Sequence, residues 1–558
     1  MMVTDLIFKL FNSIKINQMK NLNIYKILLL IVGILCFVSC SENEEFLKQT
    51  RLFRPVLNKE LTSIDNTIIV NMGKMKEAIA YKVEISRDTF KTIVKSIEGP
   101  SNEVIFDNLV WNALYQVRAT AYAADEQYNS KISDLGEINT QRFPSIMAIP
   151  VSSDVIDTGA KVHWATEDSG AAVTAVKVFA FEDELLQTPL ASHTVSDADR
   201  LAGEKIIYGL TPGTKYQIAI YSEENARGWE VYETKPPLPT GADVIDLRGT
   251  NDPSLLITTL SSAPEASTIL LDGNFTYNAT GFNFSKSVTI KSGYSFVPGG
   301  AKIAVSSQFK FVENANIASV VFDGVSLYQP LATPTTSPGG YLFSPDKSYT
   351  INELKFVNCR IYDFRGLMRS RSGTTGALNN FIIDNCIVNN IRDYSVLMNE
   401  STSGFNFGNI LFKNSTFYKC QKFLVNKAKT PVTSIKIEDC TISEVVQAGR
   451  FLFEFDSDSS EGVFFTNTII ARGWDMTDTQ VYAYSFIKAG TMGATSFIFT
   501  NTYDTSDSAY TIAPPAPINF KYSGTSETLW EDHANGDFTF KDSGFGGLRD
   551  TGDPRWRL

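Results

Sequence analysis

The segment FVNCRI at residues 356–361 recurs as IDNCIV at 383–388 and as FKNSTF at 412–417. Four further segments of the C-terminal half follow the same pattern. Together they place one turn-forming residue in a common column, with successive spacings of 34, 27, 29, 25, 28 and 34 residues: Gly324, Asn358, Asn385, Asn414, Asp439, Asn467 and Asn501. A repeat of roughly this length is typical of a solenoid, in which each repeat forms one coil.

Apolar residues flank this column with a period of two. Leu354 and Phe356 stand four and two places before Asn358, and every repeat has apolar residues at both places. A strand with one buried face gives this alternation. After the column the apolar residues move from even to odd places, so the chain must bend at the column. Gly, Asn and Asp are the residues that adopt the positive φ of such a bend at the lowest cost. Stacked Asn side chains are also expected to hydrogen-bond from coil to coil, each bond contributing about 1 kcal/mol.

A third strand is predicted in every coil, at 341–344, 366–370, 396–399, 423–426, 451–454 and 485–488. Simple alternation predicts an inward column made of Phe343, Met368, Met398, Val425, Phe453 and Ile487. The same alternation predicts an outward column made of Ser344, Arg369, Asn399, Asn426, Glu454 and Lys488.

Three short strands per coil, the Asn column and the apolar interior resemble the right-handed parallel β-helix of the pectin-lyase-like superfamily. The resemblance covers about 243–558. It implies a fold and leaves the activity open, because one fold hosts many functions.

Two segments before the repeats resemble fibronectin type III modules. The second contains LTPGTKYQI at 210–218, similar to the LxPxTxYxV signature of these modules, with Tyr216 in the place of the tyrosine that ties the sandwich corner. The first, with YKVEI at 81–85 and LVWNALYQV at 109–117, is more diverged. The predicted fold class is therefore all-β, with two fibronectin type III-like β-sandwiches followed by the β-helix.

The start of the chain resembles a bacterial lipoprotein signal peptide. From Met19, two lysines precede an apolar run at 27–35, and FVSC at 37–40 makes Cys40 the implied acylated residue. The sequence SENEE at 41–45 is similar to the acidic signal that sends lipoproteins of the Bacteroidetes to the outer face of the outer membrane. We therefore expect a lipid-anchored outer-membrane protein that faces the cell exterior. A buried or single transmembrane helix is the alternative.

These segments give a plan for the whole chain. We predict a signal peptide at 1–40, a tether at 41–52, fibronectin type III-like modules at 53–142 and 143–239, a β-helix with an N-terminal cap at 240–503, and a C-terminal cap at 504–558. A short helix from Asp252 through Leu260 is expected to close the N-terminal end of the solenoid.

The charge balance and the cysteines exclude several classes of site. Without residues 1–40 the chain has a net charge near −14, so the composition favours neither nucleic acid nor an anionic membrane surface as a partner. Cys359, Cys386 and Cys440 share one interior column, and Cys420 also lies in the repeats. Column neighbours about 4.8 Å apart with parallel Cβ vectors suit free thiols better than disulfides.

Catalytic and metal-binding residues are sparse. Lyases of this fold use an Arg or Lys base, which makes Arg369 and Arg371 the catalytic candidates. The vWiDH and RxPxxR signatures of pectate lyases are missing, and all three histidines lie outside the repeats, so composition excludes a His-dependent mechanism within them. Asp456 and Asp458 are spaced as Ca²⁺ ligands would be, although such residues in a turn are often solvated.

A lengthened loop before the last third strand carries Trp474 and should overhang the outward column, with a second long loop at 329–339 on the same side. Aromatic faces beside hydrogen-bonding groups are typical of carbohydrate platforms. The predicted ligand-binding residues are Arg369, Asn399, Asn426, Glu454, Trp474 and Lys488.

The resemblance implies a cell-surface glycan-binding lipoprotein of a polysaccharide utilisation system. Its expected partners are an acidic polysaccharide, the outer membrane through the acyl anchor, and an outer-membrane glycan transporter. Two alternatives stay open: a His-independent polysaccharide lyase that acts by β-elimination, with or without Ca²⁺, and a protein-binding adhesin.

Overall fold

The computed structural model describes residues 50–166, 171–333, 336–402 and 404–558. The predicted signal peptide with Cys40, and the tether as far as residue 49, lie outside these ranges. The chain divides into two compact units, one ending at Pro144 and including Glu184–Gln187, and the other formed by Ser145–Asp183 and Thr188–Leu558. Across the described ranges, no helix combines the length and the apolar character needed to cross a membrane.

The first unit is a β-sandwich. Its strands are β1 (Thr62–Ile64), β2 (Thr67–Asn71), β3 (Ala80–Ser86), β4 (Lys95–Gly99), β5 (Glu103–Phe106), β6 (Leu114–Tyr122) and β7 (Ser133–Asn139). They form two antiparallel sheets in the orders β1-β2-β5 and β4-β3-β6-β7, which is the strand arrangement of a fibronectin type III module. Alternate residues of β6 are buried between the sheets.

The second unit begins with another sandwich. Its elements are β8 (Gly159–His163), β9 (Ala175–Ala180), β10 (Pro189–Thr194), helix α1 (Asp197–Ala202), β11 (Glu204–Tyr208), β12 (Lys215–Ser222) and β13 (Asn225–Glu233). The strand orders are β10-β9-β12-β13 and β11-β8. The Tyr216 hydroxyl accepts the Thr211 N–H at 3.0 Å, which confirms the predicted tyrosine corner. Tyr115 accepts the Val110 N–H at 3.0 Å in the first sandwich, so the diverged module has the same corner.

The rest of the second unit is a parallel β-helix. The strands of its N-terminal coils, with helix α2 (Leu255–Ser262) after the first of them, are β14 (Val244–Asp246), β15 (Ser267–Leu271), β16 (Thr276–Ala279), β17 (Phe282–Phe284), β18 (Val288–Ser292), β19 (Lys302–Val305), β20 (Phe309–Phe311), β21 (Ala315–Asp323), β22 (Ser326–Tyr328) and β23 (Tyr341–Phe343). The central coils contain β24 (Tyr349–Val357), β25 (Arg360–Phe364), β26 (Gly366–Ser370), β27 (Gly376–Asp384), β28 (Ile387–Ile391), β29 (Leu397–Asn399), β30 (Phe405–Lys413), β31 (Thr416–Cys420) and β32 (Leu424–Asn426).

The last coils and the C-terminal segment complete the chain. Their elements are β33 (Ser434–Glu438), β34 (Thr441–Val445), β35 (Phe451–Phe455), β36 (Val463–Thr466), β37 (Ile469–Ile470), β38 (Tyr484–Ile487), β39 (Phe497–Thr500), β40 (Tyr503–Asp504), β41 (Tyr510–Ile512), β42 (Phe520–Lys521), helix α3 (Ser526–Leu529), β43 (Trp530–Asp532) and β44 (Asp537–Phe540). Within the described residues, sheet 1 runs from β14 to β39, sheet 2 from β16 to β42 and sheet 3 from β17 to β41, and each takes one strand from successive coils. The predicted three strands per coil are confirmed.

The predicted bend between sheets 1 and 2 is also confirmed. All seven residues of the turn column have positive φ, from 46° at Asn501 to 71° at Gly324. The column is hydrogen-bonded between neighbouring coils, since Asn385 Nδ2 donates to Asn358 Oδ1 at 2.7 Å and Asn501 Nδ2 donates to Asn467 Oδ1 at 3.1 Å. Each amide therefore satisfies both the local turn and the stacking of coils.

Substitutions at Asn414 should separate the contribution of the left-handed turn from that of the hydrogen bond between coils. Asn414 has a φ of 50° and donates to Asp384 Oδ1 at 2.9 Å. Asn414→Gly keeps the turn and removes the bond, so we expect it to lower the free energy of unfolding by about 1 kcal/mol. Asn414→Ala adds the cost of placing Cβ in the left-handed region and should lose about 2–3 kcal/mol in urea unfolding. Equal losses for the two variants would contradict this account.

The interior of the β-helix is a continuous apolar core. It contains stacked rings such as Phe322 and Phe356, whose centroids lie 5.4 Å apart. Cys359, Cys386, Cys420 and Cys440 are buried free thiols, as predicted. Burial raises the pKa of the Cys440 thiol well above its ordinary value, so this thiol remains protonated in the folded protein.

Sheet 3 corrects part of the predicted outward column. Its coil-to-coil register gives an outward column of Arg369, Met398, Val425 and Glu454. Asn399 and Asn426 lie one place further along, in the column of Ser370, and both are 0% exposed. The prediction that these two asparagines face a ligand is therefore wrong, as is the inward assignment of Met398 and Val425.

The buried amides explain the register. Asn399 Nδ2 donates to Asn426 Oδ1 and to the Phe405 carbonyl, both at 3.0 Å. Asn426 Nδ2 donates in turn to Ser457 Oγ at 3.1 Å. The apolar triplet at 396–398 fits either register, so the hydrogen bonds of the interior asparagines, which would be costly to leave unmade, decide between them.

Helix α2 and the C-terminal segment cover different parts of the β-helix. At the N-terminal end, α2 packs Leu256 and Leu260 on the core, as the predicted capping helix would. The C-terminal segment folds back over the outer face of sheet 2, where the Trp556 indole N–H donates to Thr416 Oγ1 at 2.8 Å and Arg557 pairs with Asp439 at 2.6 Å. The segment therefore covers one face of the solenoid in addition to following its last coil.

Candidate glycan-binding surface

A second column of left-handed residues marks the corner between sheets 2 and 3. It lies five places after the turn column and consists of Asp363, Asn390, Lys419 and Glu444, with φ of 64°, 52°, 52° and 52°. The sequence analysis did not predict this column, because Lys and Glu are not typical turn residues. The bend turns the following residues, among them Arg365 and Arg392, onto an outer edge that runs along the coils.

Arg369 is held between two tyrosines at this edge. Its guanidinium donates to Glu400 Oε2, at 2.9 Å from Nε and 2.6 Å from Nη2. The guanidinium carbon lies 4.1 Å from the ring centroid of Tyr394 and 5.0 Å from that of Tyr341. The two rings themselves meet edge to face at 5.3 Å. Cation–π contact and the ion pair together fix the orientation of all four side chains.

Arg365 extends this cluster along the corner. It makes a bidentate pair with Asp393, at 2.9 Å and 3.0 Å, and its guanidinium carbon lies 4.5 Å from the Tyr394 centroid. The hydrogen bonds from Arg365 hold the pKa of Asp393 below its usual range. Tyr394 is therefore contacted by two guanidinium groups and remains half-buried.

Arg392 connects the two long loops that the sequence placed on one side. Its guanidinium carbon lies 5.1 Å from the Trp474 ring, and its Nη2 donates to Ser337 Oγ at 3.0 Å. Arg392 forms no ion pair within the described ranges. Burial lowers the pKa of Arg392, while the charge of Asp393 opposes the shift. The arginine is thus a partly desolvated cation beside an aromatic face, and no described carboxylate pairs with it.

Arg392 and the tyrosines were missed by the sequence analysis, although one signal was present. Arg365, Arg392 and Trp474 each stand seven places after their turn residue, at Asn358, Asn385 and Asn467. Such a column is visible only when the register is followed past the second strand. The clusters around Arg369 and Arg392 together are called the corner surface below.

Glu454 and Lys488 face outward as predicted, but both are paired. Glu454 binds Lys422 at 3.1 Å, and Lys488 binds Asp456, which Lys429 also approaches at 3.5 Å. Burial alone would raise the pKa of Asp456, but the hydrogen bond and charge of Lys488 hold that pKa below its ordinary value. The outer face of sheet 3 therefore carries ion pairs in its last coils, beside the corner surface.

The contacts of Asp456 and Asp458 do not fit the predicted calcium site. Asp458 Oδ1 accepts the Ala494 N–H and the Thr495 hydroxyl, each at 3.0 Å, while Asp456 is occupied by two lysines. No group of three or more His, Cys, Asp or Glu side chains in the described part of the chain is arranged to hold a metal ion.

The two catalytic candidates contact different groups. Arg371 donates to Ser344 Oγ at 3.0 Å and to Gln308 Oε1 at 3.4 Å, whereas Arg369 donates to Glu400. A guanidinium has donors only and no acceptor atom for a substrate proton while it is charged. The geometry therefore brings Arg369 into the corner surface, whereas Arg371 contacts Ser344 and Gln308.

The lengthened loop supplies less aromatic surface than expected. Tyr484 is buried in the core, and Arg472 binds Glu444 at 3.0 Å and Glu527 on the C-terminal segment. His533 lies 3.7 Å from Glu527, so it packs near the repeats although it lies far beyond them in sequence. Composition alone therefore did not exclude a histidine at the helix, but this one is buried.

Two family models match the β-helix and the C-terminal segment. Residues 273–420 match a family described as domain of unknown function DUF4957, and residues 410–556 match domain of unknown function DUF5123. A search of curated proteins finds no significant match. The corner surface draws on both segments, since Arg392 falls in the first and Trp474 in the second.

Solved structures that align with the chain contain fibronectin modules. The FN1–FN3 domains of chicken CNTN1 align at 13% identity over 33% of this chain and 66% of that chain, with a TM-score of 0.15. A two-domain fibronectin type III segment from chicken tenascin aligns at 20% identity over 32% of this chain and 95% of that chain, with a TM-score of 0.16. The assignment of the two sandwiches as fibronectin type III-like rests on their strand order.

Proposed function

We propose that the protein is a surface-anchored lipoprotein whose β-helix binds an acidic polysaccharide along the corner surface. The observation that carries the proposal is Arg392, a partly buried cation that lies over Trp474 and has no ion-pair partner among the described residues. A uronate carboxylate would supply the missing charge, and the indole would contact the apolar face of the sugar ring.

The shape of the corner suits a linear polymer. Tyr341, Arg369 and Tyr394 are carried by three successive coils, whose strands lie about 4.8 Å apart. Trp474 stands three coils beyond Arg392 and extends the surface along the helix axis. The Arg369–Tyr341–Tyr394 cluster lies nearer the N-terminal coils, and Trp474 lies nearer the C-terminal coils. Tyr341 and Arg369 are carried by β-strands, whose rigid positioning reduces the ordering cost of binding at that end of the surface.

The anchoring part of the proposal rests on the sequence before residue 50. Acylation at Cys40 would tie the chain to the outer membrane, facing the exterior, and the sandwiches would separate the anchor from the β-helix. An outer-membrane glycan transporter is the partner that such a binding protein would serve. Labelling of Cys40 with a fatty-acid probe in cells, and its loss in Cys40→Ala, tests the anchor separately from glycan binding.

Replacing Arg392 or Trp474 should weaken glycan binding. We expect Arg392→Ala and Trp474→Ala each to lower the affinity for polygalacturonate about tenfold or more, because each removes a desolvated contact at the centre of the surface. Affinity gels and calorimetry on the chain 41–558, with neutral glycans in parallel, provide the measurement. Lys436→Ala is the matched control, since Lys436 is exposed on the outer side of sheet 1 and lies outside the corner surface.

Other results of these binding experiments would contradict the role of Arg392 or favour one of the two alternative functions. Equal binding of charged and neutral glycans, or equal weakening by Lys436→Ala, would contradict the assignment of Arg392. A rising absorbance of unsaturated uronates, with or without Ca²⁺, would replace the binding protein by a lyase. Failure to bind any glycan in the panel would favour the adhesin alternative.

A further inference from the structure

The first sandwich carries a groove close to the point where its described chain begins. The groove has a volume of about 450 Å³ and is lined by residues 50–54, Val56 and residues 73–77. It lies wholly within the first unit, between the segment that precedes β1 and the turn that follows β2. Glycan binding at the corner surface does not use this groove.

The lining of the groove is strongly basic. Four cations are exposed around it and form no ion pair with another described residue: Arg51, Arg54, Lys74 and Lys76. Glu77 is the one acidic residue of the lining. This concentration of positive charge stands in a chain whose net charge beyond residue 40 is near −14, so the patch does not follow from the average composition.

Apolar side chains stand beside these cations. Phe53 is 85% exposed and Val56 is 65% exposed, which is unusual for large apolar residues of a folded module. Met75 is half-buried in the same lining. An exposed aromatic group surrounded by lysines and arginines has the composition of a membrane-surface contact, in which the cations meet lipid phosphates and the apolar groups enter the interface.

We propose that this groove is a membrane-binding patch, through which the first sandwich contacts an anionic lipid surface. The position of the patch supports this occupant. Cys40 lies ten residues before Thr50, and ten extended residues span at most about 34 Å. If Cys40 is acylated, the patch is therefore held close to the bilayer. The inference rests on the anchoring part of the proposed function and is independent of glycan binding.

Vesicle sedimentation tests the patch. The unacylated chain 41–558 is mixed with phosphatidylcholine vesicles, with and without about 30% phosphatidylglycerol. We expect binding to the anionic vesicles only, and release in about 0.5 M NaCl. The variant R51Q/R54Q/K74Q/K76Q should reduce the partition coefficient by roughly 600-fold, since each of the four cations near an anionic surface contributes about fivefold. Phe53→Ser should weaken binding further and with less dependence on salt.

A matched variant controls for net charge. The substitutions K302Q/K347Q/K436Q/R549Q remove four exposed cations from the β-helix and its C-terminal segment and should leave vesicle binding unchanged. Equal loss in this control, equal binding of neutral and anionic vesicles, or no binding to anionic vesicles would overturn the proposal. Polygalacturonate affinity of the same variants separates the two proposals, because the groove variant should bind the glycan as the unsubstituted chain does.

Discussion

Replacing Arg472 by methionine is expected to lower the free energy of unfolding by about 3–5 kcal/mol. The side chain of Arg472 is only 10% exposed and that of Glu444 only 9%, and their ion pair spans 3.0 Å. Arg472 also binds Glu527 and lies 3.9 Å from Asp507. Methionine keeps the apolar stem and removes the charge, so the buried carboxylates of Glu444 and Asp507 would lose the cation beside them.

Denaturant unfolding followed by tryptophan fluorescence measures this effect, because Trp530 and Trp556 lie in the segment that Glu527 ties to the helix. Arg549→Met is the control, since Arg549 is exposed, and it should change stability by less than about 0.5 kcal/mol. Adding Glu444→Gln to Arg472→Met should recover part of the loss by removing an uncompensated charge. A loss below about 1 kcal/mol with no recovery would contradict the role given to this ion pair.

The sequence predicts the solenoid well because its turn column carries two independent signals. A left-handed bend restricts the residue type at Asn358 and its equivalents. The alternating apolar residues on either side determine which face of each strand points into the core. Both constraints are local and repeat in every coil. The tyrosine corner at Tyr216 was predictable for the same reason, since its bond to Thr211 lies within one short motif.

The register of sheet 3 was not predictable from alternation. At 396–398 and 423–425 every residue is apolar, so a shift by one place leaves the burial pattern unchanged. The choice depends on the amide bond between Asn399 and Asn426, which joins residues 27 places apart. Side-chain hydrogen bonds across coils do not appear in the pattern of a single strand.

The corner surface was predicted in part. Trp474 and Arg369 were identified, because a lengthened loop and an outward charge are visible in one repeat. Arg392 was missed because its importance comes from contacts with Trp474 and Ser337, which belong to other coils. The pairing of Lys488 with Asp456 could not be foreseen either, since both residue types are equally common on solvated strands.

The second large effect is expected at Phe343. Its ring lies 5.4 Å from that of Phe309, 5.6 Å from Phe311, 5.9 Å from Phe284 and 6.1 Å from Phe322. Phe343→Ala should lower the free energy of unfolding by about 3–5 kcal/mol, because the cavity removes contacts from several coils at once. Phe343→Leu keeps most of the volume and should lose about 1.5 kcal/mol. If guanidinium unfolding gives similar midpoints for both variants, the aromatic stack does not set the stability of these coils.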